Sequence, residues 1–204
     1  RGERVVSDPE NPEPKRDGEM NLGMQAKVIA LAAMAVLVSG LEARAQTPSE
    51  GGRKMLVAYF SHTGNTRAIA RQIQQATGAE VFEIVPANPY PESYGEVLAR
   101  GRQELKDNMM PKLKSEVPDL APYDVIFVGS PNWFNTIVPP VMTFLSSRDF
   151  AGKTIVPFMT HGGGGLGKSQ QDLQRLAPGA TLLEGRAFRG DAMADAGEDV
   201  RTWL

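Results

Sequence analysis

A continuous apolar run, Met55-Leu-Val-Ala-Tyr-Phe60, gives way at once to a cluster of small polar side chains, and few folds accommodate that transition. Six apolar residues without alternation form a strand buried on both faces. Ser61, Thr63, Asn65 and Thr66 follow, with His62 and Gly64 among them. Ala68, Ile69, Ile73 and Ala76 then fall at helical spacing, separated by Arg67, Arg71, Gln72 and Gln75. Strand, tight polar loop and helix N-terminus together form an anion cradle. The unpaired amides of the first helical turn converge on one point, and short hydroxyls complete the shell. Gly64 permits close backbone approach and a positive φ. The Walker loop needs a Lys-Ser/Thr pair after its second glycine, and the dinucleotide fingerprint needs three spaced glycines; neither is present. A cradle of hydroxyls and amides without a lysine suits a small phosphomonoester. The same six residues also suit an ordinary strand-to-helix turn.

Downstream, strands and helices alternate. Gly78 stops the first helix, and residues 80–85 alternate as a second strand. Ser93 and Glu96 have the spacing of a capping box at the head of a helix over residues 93–108. Residues 123–129 form the third strand, and Pro139 and Pro140 open a helix to about Ser147. Residues 154–160 form the fourth strand, where Pro157 predicts a bulge or local break. A helix over 167–176, a short strand over 180–183 and a last helix over 195–204 complete the pattern. Residues 185–197 have only weak periodicity. Such alternation specifies an α/β doubly wound parallel sheet with helices on both faces.

Three stretches, taken together, resemble a known family. Ser61-His-Thr-Gly-Asn-Thr66 after a buried strand is similar to the FMN phosphate loop of flavodoxins. Ser130-Pro-Asn-Trp-Phe-Asn-Thr136 and Phe158-Met-Thr-His-Gly-Gly-Gly-Gly165 resemble the two isoalloxazine loops of short flavodoxin-like FMN oxidoreductases. The likeness runs over residues 53–188. It implies a flavodoxin-like, five-stranded sheet of order 2-1-3-4-5 and FMN as cofactor. Ligands of such sheets sit at the carboxyl ends of the strands, where the order reverses between the first and third strands.

The cofactor-binding residues this implies are Ser61, His62, Thr63, Gly64, Asn65 and Thr66 for the phosphate. For the ring they are Pro131, Asn132, Trp133, Phe134 and Asn135, with Thr160, His161, Gly162, Gly163 and Gly164 on the far rim. Trp133 and Phe134 are either ring covers or core aromatics. His161 either supports charge near the flavin's N1 or is structural, and His62 either joins the loop or points outward. Asn88-Pro-Tyr-Pro-Glu-Ser-Tyr94 resembles a further family signature, and its two tyrosines are expected to pack a loop onto the sheet. The redox chemistry belongs to the cofactor, so no acid or base residue is singled out.

The N-terminal part has other characters. Residues 1–23 hold Pro9, Pro12 and Pro14 among charged residues and little to bury, which predicts disorder. In residues 24–45, Lys27, an uncharged apolar run over 28–38 and Ala43-Arg-Ala45 have the grammar of a cleaved export signal. The run is too short for a permanent membrane anchor. Mature protein is expected from Gln46, a polar linker over 46–53, and a single domain over 54–204, with the bacterial periplasm as destination.

Two histidines and no cysteine offer no metal-ligand spacing and close the cysteine nucleophile route. No basic patch with interleaved aromatics points to nucleic acid. Residues 50–204 carry 16 Lys+Arg and 17 Asp+Glu. Electron carriers of the flavodoxin type usually steer to partners with a strongly acidic face. This near-neutral balance favours an enzyme that serves a small acceptor such as a quinone. An electron carrier docking on a redox protein partner is the alternative.

Overall fold

The computed structural model describes residues 53–193 and 196–204. The expected extension (1–23), export signal (24–45) and all of the linker up to residue 52 lie outside them. The elements run β1 (Met55–Tyr59), α1 (Asn65–Thr77), β2 (Glu80–Glu83), α2 (Tyr94–Lys106), β3 (Val125–Pro131), α3 (Pro139–Ser146), β4 (Thr154–His161), α4 (Ser169–Leu176), β5 (Thr181–Leu182), β6 (Arg186–Arg189) and α5 (Ala196–Trp203). All strand pairs are parallel, in the order β2-β1-β3-β4-β5, and β6 also pairs with β4.

The period-2 geometry of the strands divides the apolar residues between two cores. Leu56, Ala58, Ile126, Val128, Ile155 and Met159 face α2, α3 and α4, where they meet Val97, Val141, Phe144, Leu145 and Leu173. Val57, Tyr59, Phe127, Val156 and Phe158 face the other way, onto Ile69, Ala70 and Ile73 of α1 and Ala196 and Val200 of α5. Central strands buried on both sides explain why their sequences do not alternate. Gly129 lies opposite Phe158 in the β3–β4 register. A methyl group there would sit 2.2 Å from the Phe158 ring, so this glycine is the space the aromatic occupies.

The structure corrects several expectations. The buried stripe of α1 is Thr66, Ile69, Ala70 and Ile73, while Ala76 is exposed. The polar Thr66 replaces Ala76 because the helix starts at the sheet's end and its first turn is the better covered. Ser93 is the N-cap of α2, yet its side chain makes no capping hydrogen bond. The far end of α2 is closed instead by a Schellman arrangement. Met109 N–H donates to Glu104 O (2.8 Å) and Asn108 N–H to Leu105 O (3.3 Å), with Asn108 at φ 50. Of the two loop tyrosines only Tyr90 packs inward; Tyr94 is 76% exposed.

Pro157 causes no bulge against β3, with which β4 stays in unbroken register. Its missing donor faces the opposite side, where β5 ends opposite Ile155 and β6 begins opposite Phe158. There Gly185 crosses so closely that a methyl group on it would lie 2.9 Å from the Pro157 ring. One proline thus splits the edge strand in two. That is why β6 exists, in a stretch whose periodicity was too weak to reveal it.

Candidate functional site

The carboxyl ends of β1, β3 and β4 gather the three loops singled out in the sequence. After β1, Phe60 N–H still donates to Gly129 O (3.1 Å), and the chain then turns. Ser61 Oγ accepts the Gly64 N–H (3.1 Å), and Gly64 takes φ 97, a conformation that glycine adopts without a Cβ clash. The first bond of the α1 ladder runs from Ala68 N–H to Gly64 O (2.9 Å). The amides of Asn65, Thr66 and Arg67 precede that ladder, and no side chain among the described residues caps them. Thr63 is exposed, while His62 and Asn65 are half-buried.

Thr66 behaves differently from its neighbours. It is buried, and its hydroxyl lies 2.8 Å from that of Thr160 on β4. The bond joins two expected site residues and ties the first loop to the third. The accessible face of the loop is therefore built from Thr63, Ser61, Asn65 and the free amides rather than from Thr66.

The second loop is a hairpin in miniature. Trp133 and Thr136 exchange backbone hydrogen bonds of 3.1 Å in both directions. Phe134 (φ 53) and Asn135 (φ 69) between them are both left-handed, the signature of a type I′ turn. A bulky aromatic at positive φ is an outlier held only by its surroundings. Asn135 O accepts the Lys168 N–H (2.7 Å), the Thr136 hydroxyl donates to Asp172, and the Arg102 guanidinium lies 5.2 Å from the Phe134 ring centre. Trp133 is the wedge beneath. It meets Phe60, His62 and Tyr90 edge-on at 5.8, 6.0 and 5.0 Å, and a methyl group on Gly101 would stand 3.1 Å from it. His62 accordingly packs on Trp133 instead of pointing into solvent.

Asn132 fastens the second loop to the third. Its N–H donates to Thr160 O (2.8 Å) and its side-chain amide to Gly165 O (2.7 Å). Pro131, the last residue of β3, pairs with Thr160. Gly162, Gly163 and Gly164 form an exposed rim, and around the first two the space is open. His161 is half-buried, and its Nδ1 is buried without a hydrogen-bond partner among the described residues.

Sequence reasoning missed two flanks of this mouth. The turn after β6 reaches it: Gly190 N–H donates to His161 O (2.9 Å), and a methyl group on Gly190 would lie 2.7 Å from the Asn65 amide. There the Arg189 guanidinium holds the Asp191 carboxyl below its ordinary range, with a smaller contribution from His161. On the β2 side, Glu83 accepts bonds from Arg67 and from Tyr59 (3.2 Å). Burial, then the Glu83 charge, pushes the Tyr59 phenol up. Phe60, His62, Arg67, Glu83 and Tyr90 border a cavity of about 330 Å³ on that side. Deeper, Tyr90 donates to the buried Glu104, which Arg100 also holds at 2.7 Å. Arg100 further grips Asn88 O and Pro89 O and lies 4.1 Å from the centre of the Tyr90 ring. Charges spaced across three elements leave no local pattern, which is why they were not legible.

The mouth fits a phosphorylated planar ligand. Free amides and a left-handed glycine suit the anion, an open glycine rim suits a polar ring edge, and the partnerless His161 Nδ1 has hydrogen-bonding capacity to spare.

Comparison with known proteins agrees with this geometry. A structure from Bacteroides eggerthii DSM 20697, provisionally described as a flavoprotein, is 34% identical over 75% of this chain and 96% of its own, with a TM-score of 0.66. A similar one from Bacteroides uniformis ATCC 8492 is 34% identical over 74% and 99%, with a TM-score of 0.65. A flavoprotein from Lactobacillus acidophilus NCFM, in complex with FMN, shares the fold at 23% identity over 72% and 99%, TM-score 0.57. No curated protein matches the chain. The family model described as Flavodoxin matches residues 54–204, the whole of the expected domain, and the chain belongs to the flavodoxin family.

Proposed function

We propose that the chain holds FMN at this mouth and works as an oxidoreductase, passing electrons or hydride to a small acceptor such as a quinone. One observation carries the reading: the amide-rich loop around Gly64 and the exposed rim at residues 162–164 are brought to one end of the sheet, the first loop tied to the third through Thr66–Thr160 and the second to the third through Asn132. The FMN seen in the Lactobacillus acidophilus flavoprotein supports the choice of cofactor. Amides of residues 65–67, with Ser61 and Thr63, would hold the phosphate in the field of the α1 N-terminus. Phe134 and Trp133 would bound the ring, and residues 161–164 its polar edge. When bound, FMN supplies the reversible redox chemistry, and the chain binds, orients and partly desolvates it. The near-neutral balance of residues 50–204 favours a small acceptor over a docking protein. The apolar run and Ala43-Arg-Ala45 support export to the bacterial periplasm, and intact mass of natively expressed protein beginning near Gln46 would bear this out.

The test is a visible spectrum of purified protein with and without added FMN, then quinone reduction with NADH or NADPH as donor. Flavin uptake with quinone turnover supports the proposal. Flavin uptake with electron delivery only to redox proteins would make the chain a carrier, and no uptake would end the flavin reading.

A further inference from the structure

A second cavity lies on the far side of the Phe134 turn. It encloses about 350 Å³ between the end of α2, α3 and the start of α4, within the size range of small-molecule sites. Its apolar lining is Phe134, Leu105, Met142 and the exposed Met109 and Met110. The Schellman turn at Asn108 (φ 50) places those last two methionines at the rim. Thioethers and one aromatic make an adaptable, polarisable surface suited to a flat ring.

The charge at this cavity is unbalanced. Lys106, Lys168 and Arg175 line it, together with the carboxylates of Glu104 and Asp172. Glu104 is buried and already engaged by Tyr90 and Arg100. Asp172 takes the Thr136 hydroxyl and faces both Arg175 (3.3 Å) and Lys168 (3.9 Å). Lys106 has no ion-pair partner among the described residues. Lys168 and Arg175 therefore share the Asp172 carboxylate, and the Lys106 charge is left without a counter-ion among the described residues.

We propose that this cavity seats an anionic, planar aromatic small molecule of the carboxylated or hydroxylated quinone class, with its ring among Phe134, Met109, Met110 and Met142 and its charge toward Lys106 and Arg175. The proposal deepens the oxidoreductase reading and rests on it for the ligand being a quinone that accepts electrons. The cavity itself is formed by this chain alone. The cavity shares Phe134 with the loop assigned to the flavin ring.

Titration calorimetry with FMN-loaded protein tests it, using 2-hydroxy-1,4-naphthoquinone, an anion at pH 7, and neutral 2-methyl-1,4-naphthoquinone. The anion should bind saturably, and more weakly as salt is raised. Lys106→Glu and Arg175→Glu, both at exposed positions, should each weaken it by about tenfold while changing the neutral quinone less than twofold. Met142→Trp, which fills the cavity, should weaken both. No saturable anion binding, or equal effects of the charge variants on both quinones, overturns the proposal. An acidic protein that binds in place of the anion and is lost in Lys106→Glu would likewise overturn it in favour of a docking surface. Repeating the titration without flavin separates the two readings. Anion binding that persists while FMN uptake fails keeps the cavity and removes the flavin, and the reverse removes the cavity.

Discussion

The neighbouring rings of the second loop differ in what they touch. Trp133 is packed edge-on by three rings and lies against α2, whereas Phe134 sits on a left-handed turn with Arg102 beside it. Trp133→Ala should therefore cost the flavin-free protein about 2–4 kcal/mol, since an aromatic is removed from a packed cluster. Phe134→Ala should cost the flavin-free protein about 1 kcal/mol or less and weaken FMN binding by roughly 1–3 kcal/mol through lost stacking and burial. Urea unfolding and flavin titration of both variants measure the two quantities. Equal stability losses with unchanged flavin affinity would make both rings structural. The sequence presented both aromatics in one loop. It did not separate them, because their difference arises from α2 and from the turn type, and a Phe-Asn pair is not the usual composition of a type I′ turn.

Among the elements, β1, β3 and β4 were legible because an uninterrupted apolar run has few uses other than a strand with two covered faces. Strand β6 was not, since in Arg186-Ala-Phe-Arg189 only Phe188 is buried and the neighbouring β4 supplies the rest of the reason for extension. The capping box at Ser93 and Glu96 had the right residues without forming the side-chain bond, which shows that spacing permits a cap but does not compel it. Gly129 was read only as the end of a strand. Its role as the seat of Phe158 depends on cross-strand register, a non-local fact. Gly129→Ala should destabilise the fold by about 1–3 kcal/mol, because the ring fixed above it has no free direction to move. Gly129→Ala combined with Phe158→Leu should recover part of that loss, and failure to recover any would mean that the backbone, not the ring, is what the methyl group disturbs.

For the molecule as a whole, tyrosines tie the sheet and the α2 face to carboxylates. Burial and then Glu104 push the Tyr90 phenol far above its ordinary value, and the Glu80 carboxylate, followed by burial, pushes Tyr123 up to about 12. Phenols raised in the folded state contribute stability that is fully present below the ordinary tyrosine value and lost as pH rises above it, because only the unfolded chain then ionises. Stability should fall between about pH 10 and 12, for Tyr90 by up to about 1.4 kcal/mol per pH unit. Tyr123→Phe should shallow that alkaline decline. It should also raise the Glu80 carboxyl, which Tyr123 first and Lys54 second hold down, and so remove a contribution that is lost as pH falls through the acidic range. Denaturant midpoints from pH 3 to 12 would read both ends. An unchanged alkaline slope in Tyr123→Phe would mean that its phenol is not held by Glu80 in solution.

At the same scale, the order of the parallel strands brings the loop of residues 61–66 to the mouth shared with Trp133 and Gly162, and the reading of this chain as an FMN protein depends on what that loop holds. Titration calorimetry with FMN and with riboflavin tests it most directly, because the two ligands share every ring contact and differ in the phosphate. Several charge-assisted hydrogen bonds from the loop amides, Ser61 and Thr63, at about 1.5–3 kcal/mol each, should favour FMN by about a hundredfold or more, roughly 3 kcal/mol. Thr63→Ala should narrow that gap while leaving riboflavin almost unchanged. Gly64→Val should narrow it further, since φ 97 is closed to a β-branched residue. Equal affinity for FMN and riboflavin in the unmodified protein would reduce the loop to a turn and contradict the account.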